Sequence, residues 1–345
     1  MTVILGADVG GTKTLVELWD VGGRDWRLLH RANYLSRDFP DLTTLLQTFL
    51  KESPDHPQRA CLGIPGPVID QVAQVTNLGW RVSGAELETA LQIPSVTLLN
   101  DFAAVAYGAL VLPPTDFVVL QERPQRPQAP IALLGAGTGL GEALLIWQGD
   151  RYQVMPLEGG HTDFPARNEQ EIGLLRYLWQ TYERVSVERV VSGAGLVAIY
   201  DYLKSVNFAG ESAAVAAAMA AAEDRAAVVS QYGLEGDPLC AEALRMFVDA
   251  YGAEAGNLAL KSLPLGGVLI AGGIAPKILP KMTDGTFLQG FLNKGRFRPL
   301  MEQLYVAVIT NPEVGLRGAV HLAAQGVAGL KGASVVDRPS ATHRQ

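Results

Sequence analysis

Six segments of this 345-residue sequence combine residue types able to do chemistry. The first, Ala7-Asp8-Val9-Gly10-Gly11-Thr12, ends an apolar run with a carboxylate, two glycines and a hydroxyl. Glycines let backbone N–H groups approach phosphate oxygens, and Asp8 is a candidate for holding Mg²⁺ through water, as hard cations prefer. A plain hairpin turn is the alternative, and no Walker GxxxxGK[ST] sequence is present. The second, Gly135-Ala136-Gly137-Thr138-Gly139-Leu140-Gly141, has a GxGxxG-like spacing. A dinucleotide site needs a helix after those glycines, whereas Glu142 to Trp147 continues as an apolar strand, so a second phosphate-cradling hairpin fits better. The third, Ala271-Gly272-Gly273-Ile274, sits between a strand and a helix, where N–H groups can meet a phosphate or a purine can lie; alone it reads as a tight β-to-α turn.

The remaining three segments offer side chains. Asn100-Asp101 falls at the carboxyl end of a strand, where α/β proteins place ligands. Asp101 reads either as a base taking a proton from an attacking hydroxyl or as a helix N-cap. Glu158-Gly159-Gly160-His161 sets a carboxylate and an imidazole on a glycine loop, able to converge on a polyhydroxylated ligand. No cysteine or second histidine lies nearby, which argues against a metal. Glu188, in Ser186-Val187-Glu188, reads by itself as a solvated carboxylate.

The elements that must position these groups alternate between strand and helix, which predicts α/β domains. Strands are expected at Val3–Val9, Thr14–Trp19, Ala60–Ile64, Val96–Leu99, Gly267–Ile270 and Tyr305–Ile309. Helices are expected at Leu42–Lys51, from Phe102, at Glu169–Tyr182 and Leu196–Leu203, from about Pro238 to Ser262, and at Gly315–Leu330. The alanine-rich stretch Ser212–Val229 reads as a peripheral helical insertion, and Gln121–Pro130 as a connection between larger units. The segment from Leu133 to Trp147 echoes the one from Ile4 to Trp19, strand, glycine turn, strand, which hints at two related halves.

Composition narrows the class. Hydrophobic residues make up 48% and charged residues 18%, enough apolar material for two ordinary cores. The net charge of −7 comes without a basic cluster, so nucleic acid is not an expected partner. Cys61 and Cys240 stand alone, which argues against zinc and disulfides and suits a reducing cytosol. Neither a signal peptide nor a membrane span is expected, and a cytoplasmic location is the default.

In their order along the chain, the six segments resemble the bacterial glucokinase family, of the hexokinase, actin and heat-shock ATPase superfamily. The resemblance runs from Ile4 to about Leu330 and includes IPGPV (Ile64–Val68), TNLGW (Thr76–Trp80) and NKGRF (Asn293–Phe297). It implies an α/β fold of two actin-like ATPase (ribonuclease H-like) domains with a cleft between them: a small domain of residues 1–110 plus 305–330, a large one of 111–304, and a flexible tail from 331 to 345. It implies ATP-dependent phosphorylation of glucose on its 6-hydroxyl, the first step of glycolysis, with Mg²⁺ and without zinc. Asp101 takes the place of the catalytic base. Asn100, Asp101, Glu158, His161 and Glu188 take the places of the sugar-binding residues. Ala7, Asp8, Val9, Gly10, Gly11, Thr12, Gly137, Thr138, Gly139, Gly272 and Gly273 take those of the ATP loops, with Asp8 in the outer shell of Mg²⁺. Lys13 departs from the asparagine that often follows GGT. A kinase for fructose, mannose or N-acetylmannosamine is the nearest alternative, but the zinc-containing kinases carry cysteines after the histidine, and TDFPARNEQE follows His161. A non-catalytic sugar-binding regulator is the other; Val3 opens the first strand with no helix-turn-helix ahead of it. A homodimer is compatible with the sequence, which does not fix the oligomeric state.

Overall fold

The computed structural model describes residues 1–23, 25–75 and 77–326. Two compact units emerge: Met1–Asp116 with the chain from Asn311, and Phe117–Thr310.

The first unit is built on a five-stranded sheet. Strands β1 (Val3–Val9), β2 (Lys13–Asp20) and β3 (Arg27–Leu35) form an antiparallel meander. Strand β4 (Arg59–Ile64) then pairs parallel with β1. The strands β5 (Val68–Ile69), β6 (Val72–Val75) and β7 (Trp80–Ser83) make a separate small sheet, turned at Asp70-Gln71. Both turn residues have positive φ, as a two-residue hairpin of the right twist requires. Strand β8 (Val96–Asn100) completes the main sheet, parallel to β4, for the order β3-β2-β1-β4-β8. The register brings chemistry to one edge. Asp8 pairs with Gly63, and Gly63 pairs with Leu99, so Asp8 and the Asn100-Asp101 pair leave the sheet at the same carboxyl end.

One side of this sheet is sealed by the helix Leu42–Glu52, which buries Leu42, Leu45, Leu46 and Phe49 behind an Asp41 cap. On β1 and β4 lies the helix Val314–Gln325, which also packs against Asp101–Ala109. Glycines permit that crossing: a Cβ on Gly318 would overlap the Ala104 carbonyl oxygen, and one on Gly108 that of Val314.

The second unit repeats the pattern. Strands β9 (Phe117–Gln121), β10 (Ile131–Ala136), β11 (Leu140–Gln148), β12 (Arg151–Leu157), β13 (Gly267–Ala271) and β14 (Val306–Ile309) form one sheet in the order β12-β11-β10-β13-β14-β9. As in the first unit, three antiparallel strands are extended by two parallel to the first of them, here with antiparallel β9 added at the edge. The repeat hinted at by the two LGA segments is therefore a repeat of topology. The helix Pro238–Ser262 forms the spine of the core. Asp237 caps it with bonds to Leu239 and Cys240 N–H, and Pro238 occupies its first turn.

Several expectations need correction. Gln121 belongs to β9, and the stretch that follows joins β9 to β10 inside the second unit, so Gln121–Pro130 does not connect the units; its Pro and Gln content reflects a surface loop. The alanine-rich stretch is two helices, Ala213–Ala221 and Arg225–Glu235, because Asp224 caps the second by accepting from Ala227 N–H. The helix from Glu169 stops at Leu178, and strand β14 lies in the second unit's sheet. Thr76, the last residues of the final expected helix and the tail from 331 lie outside the described residues. Among those described, no helix is long and apolar enough to cross a membrane.

Candidate active site

In the first unit, the loop between β1 and β2 is fixed through its carbonyls. Gly10 N–H donates to Lys13 O (2.9 Å), Ser36 N–H to Thr12 O (3.0 Å) and Ser36 Oγ to Gly10 O (2.7 Å). Thr14 Oγ1 shares a hydrogen bond with Ser36 Oγ at 3.0 Å. With the Gly10 N–H and the Gly10 and Thr12 oxygens engaged, the N–H groups of Gly11 and Thr12 and the Thr12 hydroxyl are the donors the loop can offer, the kind a phosphate takes. Ser36 was invisible to sequence reasoning because it arrives from beyond β3. Asn77, in the TNLGW segment, is a second such neighbour: a Cβ on Gly11 would stand 3.5 Å from its Nδ2.

Beside the loop, the Asp8 carboxylate lies between Gly63 and Gly315; Cβ atoms there would be 3.9 Å and 3.4 Å from its two oxygens. Burial, and then the negative charge of Asp101, push Asp8 up to about 6. A desolvated carboxylate facing another carboxylate is a place that a cation relieves, so Asp8 fits the Mg²⁺ expected there. No group of three or more His, Cys, Asp and Glu among the described residues could hold a metal by itself.

At the end of β8 the capping role goes to Asn100. Its Oδ1 accepts from Phe102 N–H (3.0 Å) and Ala103 N–H (3.1 Å), and its Nδ2 donates to Gly66 O (3.0 Å). The helix begins at Asp101, one residue earlier than expected. Asn100 therefore anchors the helix and the Pro-Gly-Pro loop, and has one amide hydrogen left for a ligand. Asp101 is part-exposed, with Oδ1 accepting from Phe102 N–H at 2.8 Å, and its charge is felt by Asp8.

The second unit collects the other segments. The loop at Gly137–Gly139 closes with Gly137 N–H on Gly139 O (2.8 Å), and Gly193 N–H donates to Gly137 O (2.9 Å). Gly272, at φ 83°, sits so close that a Cβ would overlap the Ala136 carbonyl oxygen, so only glycine brings these two loops together. Tyr251 locks them: its hydroxyl accepts from Ala136 N–H (2.9 Å) and donates to Ala271 O (3.2 Å). Next to these loops opens a cavity of about 880 Å³, lined among others by Thr138, Ala194, Arg225, Gln231, Gly273 and Lys277. The helix Arg225–Glu235, expected to be peripheral, is one of its walls. Its size suits a nucleoside.

The three sugar-side candidates of this unit meet through their loops. Glu158 and His161 flank the 3₁₀ turn Gly159–His161, with their side chains 3.8 Å apart and exposed. Val187 N–H donates to Thr162 O (2.9 Å), which ties that turn to the one holding Glu188. Glu188 Oε2 accepts from Leu140 N–H (2.9 Å) and would overlap a Cβ on Gly139. It is thus no idle surface carboxylate: one oxygen braces the glycine loop.

A family model described as Glucokinase matches residues 5–326. A glucokinase from a Nostoc species is 47% identical over 94% of this chain and 100% of its own length. One from a Synechocystis species is 45% identical over 93% and 98%. The crystal structure of a glucokinase from an Antarctic psychrotroph superposes with a TM-score of 0.82 at 31% identity, covering 94% of this chain and 99% of that one. Motifs, duplicated sheet and full-length similarity converge: the chain belongs to the glucokinase family.

Proposed function

We propose that this chain transfers the γ-phosphoryl group of ATP to the 6-hydroxyl of glucose, with Asp101 as the base. The observation that carries the reading is the placement of Asp101 at the same carboxyl edge of the sheet as Asp8, close enough for its charge to act on Asp8, while Asn100 anchors the start of the helix.

Phosphoryl transfer asks a protein mainly for alignment and charge stabilisation. The loops Gly10–Thr12, Gly137–Gly139 and Gly272–Gly273 offer N–H donors to the phosphates, and the cavity beside the last two takes the nucleoside. Asp8 would hold Mg²⁺ through water. That ion, when bound, neutralises charge on the β- and γ-phosphate oxygens. Asn100, Glu158, His161 and Glu188 hold the sugar hydroxyls, Glu188 through the oxygen that Leu140 leaves free. An ordinary aspartate has a pKa of about 3.9, far below that of a sugar alcohol, so Asp101 need not form an alkoxide in advance. It orients the 6-hydroxyl and accepts its proton as the new P–O bond forms and the bond to ADP breaks.

The test is Asp101→Asn, with turnover measured beside calorimetric glucose binding. Turnover should fall by about 10²- to 10⁴-fold, while glucose affinity stays within a few-fold of wild type. A variant keeping more than about a tenth of wild-type turnover would show that another group is the base.

A further inference from the structure

Behind the sugar-side loop lies a pair of buried carboxyl groups that the reaction above does not use. Glu142, on β11, is 4% exposed and Glu254, on the helix Pro238–Ser262, is 3% exposed. Neither Glu142 Oε1 nor Glu254 Oε1 has a hydrogen-bond partner among the described residues. The register sets Glu142 opposite Leu157, the residue before Glu158. Its carboxyl group lies directly against the turn: a Cβ on Gly159 would overlap Oε2 and stand 3.1 Å from Oε1. Only a glycine leaves room for that carboxyl.

The surroundings favour a neutral acid. On the long helix, Asn257 Nδ2 donates to Glu254 Oε2 (2.9 Å), and Lys261 is the nearby cation. Lys294, from the NKGRF segment, spends its ammonium on Ala253 O (2.9 Å) and Asn257 Oδ1 (2.7 Å). Tyr251, which feels the Glu142 charge, is already bound to Ala136 and Ala271. On the loop side stand Glu158 and His161. Burial, then Glu254, push Glu142 up to about 7 against the opposing pull of Lys261; burial also raises Glu254 and lowers Lys294 to about 8. An ionised Glu142 would hold at Oε1 an acceptor without a donor among the described residues, and a buried charge in that state is drawn toward water.

We propose that Glu142 is a positioning residue for the sugar: as a neutral acid it packs under Gly159 and sets the placement of Glu158 and His161, and its ionisation displaces them. This rests on Glu158 and His161 holding the sugar. Binding glucose then favours the protonated form, and by linkage a rise in pH weakens glucose binding.

The test uses the full chain, with KM for glucose and kcat followed from about pH 6.5 to 8.5, the range that brackets the proposed ionisation. In wild type, KM should rise at least about fivefold over this range while kcat changes less than about twofold. Glu142→Gln, which mimics the neutral acid, should keep the low-pH KM throughout. Gly159→Ala should have the raised KM at every pH. A flat wild-type KM overturns the proposal, as does an equal climb in Glu142→Gln, which would assign the titration to Lys294. Should Glu142→Gln fold poorly, calorimetry on wild type in buffers of different ionisation enthalpy decides. Proton uptake on glucose binding near pH 7.5 supports the proposal, and its absence overturns it. Glu158→Ala at pH 6.5 separates two failures. An unchanged KM would sink the sugar-site reading itself, whereas a raised KM beside a flat wild-type profile sinks only the role of Glu142.

Discussion

In the first unit, the strand that feeds the glycine loop ends on Ala7-Asp8-Val9, and the loop is braced by the hydroxyl of Ser36. In the second, the matching strand ends on Ala136, Gly137 stands where Asp8 would be, and the bracing comes from the Glu188 carboxylate and the Tyr251 hydroxyl. The sheets behind the two loops share one order over five strands, with β9 added at the far edge of the second, so the difference at the loops lies in a few residues at the strand ends. It teaches that one architecture serves two tasks. The first unit concentrates negative charge, Asp8 beside Asp101, and raises Asp8 to about 6. The second carries no acid at that position and adds a cavity and a set of polar side chains instead. On the proposed reading, chemistry falls to the first unit and most of the holding to the second.

After the loss expected for Asp101→Asn, the sharpest way to break this comparison is a matched pair of glycine substitutions. A Cβ on Gly10 would lie 2.7 Å from Lys13 O, whereas one on Gly137 would meet nothing within 4 Å. Gly10→Ala should therefore distort its loop and lower kcat/KM for ATP by at least about tenfold, equivalent to about 1.4 kcal/mol. Gly137→Ala should fold like wild type, its methyl only narrowing the approach of the donor. Equal losses in both would mean that the two loops do the same work.

Asp8 offers a test with opposite signs in stability and activity. Its folded-state value of about 6 lies above the ordinary value of 3.8, so the folded protein binds more protons between those values. Stability therefore falls as pH rises through that window, and the penalty is complete above it. Asp8→Asn should raise the melting temperature of the ligand-free protein at pH 7.5, lose that advantage near pH 3.8, and still lower turnover with Mg²⁺ and ATP. A variant that melts lower at pH 7.5 would contradict the burial account.

A smaller effect compares the braces. Ser36→Ala frees the part-exposed Gly10 carbonyl and strands one buried group, the Thr14 hydroxyl, while Tyr251→Phe strands two, Ala136 N–H and Ala271 C=O. An unsatisfied buried group costs about 1–3 kcal/mol, against about 0.5–1.5 for a hydrogen bond whose remaining partner can find water. Chemical denaturation should show Tyr251→Phe losing more stability than Ser36→Ala, with the reverse order refuting the difference in burial.

Much of the candidate site was legible because its residues sit in short contiguous motifs at strand ends. Asp8, Gly10, Gly137, Asn100 and Asp101 all belong to such runs, and the long helix expected from about Pro238 to Ser262 has those bounds. What escaped depends on distant chain segments. Ser36 and Tyr251 reach the loops only through tertiary pairing, and nothing in an apolar run marks Glu142 as lying under Gly159. The strand β12 alternates exposed and half-buried residues from Arg151 to Met155, but it buries none of them fully and holds Pro156, so no apolar run marks it as a strand. The break at Asp224 did carry a signal, an acidic cap before a helical run, hidden by the uniform alanine on both sides.

The most direct test of the account is the reaction itself. Purified protein is given Mg²⁺, ATP and one of glucose, mannose, galactose or fructose; kcat/KM is measured, and phosphorus NMR locates the transferred group. An inverted or missing hydroxyl leaves polar groups of the sugar site unpaired at about 1–3 kcal/mol each. Glucose should therefore be used at least about tenfold better than galactose or fructose, with the phosphate on the 6-oxygen. A preference for fructose, or phosphate on a different oxygen of glucose, would contradict the placement of the sugar against Asp101.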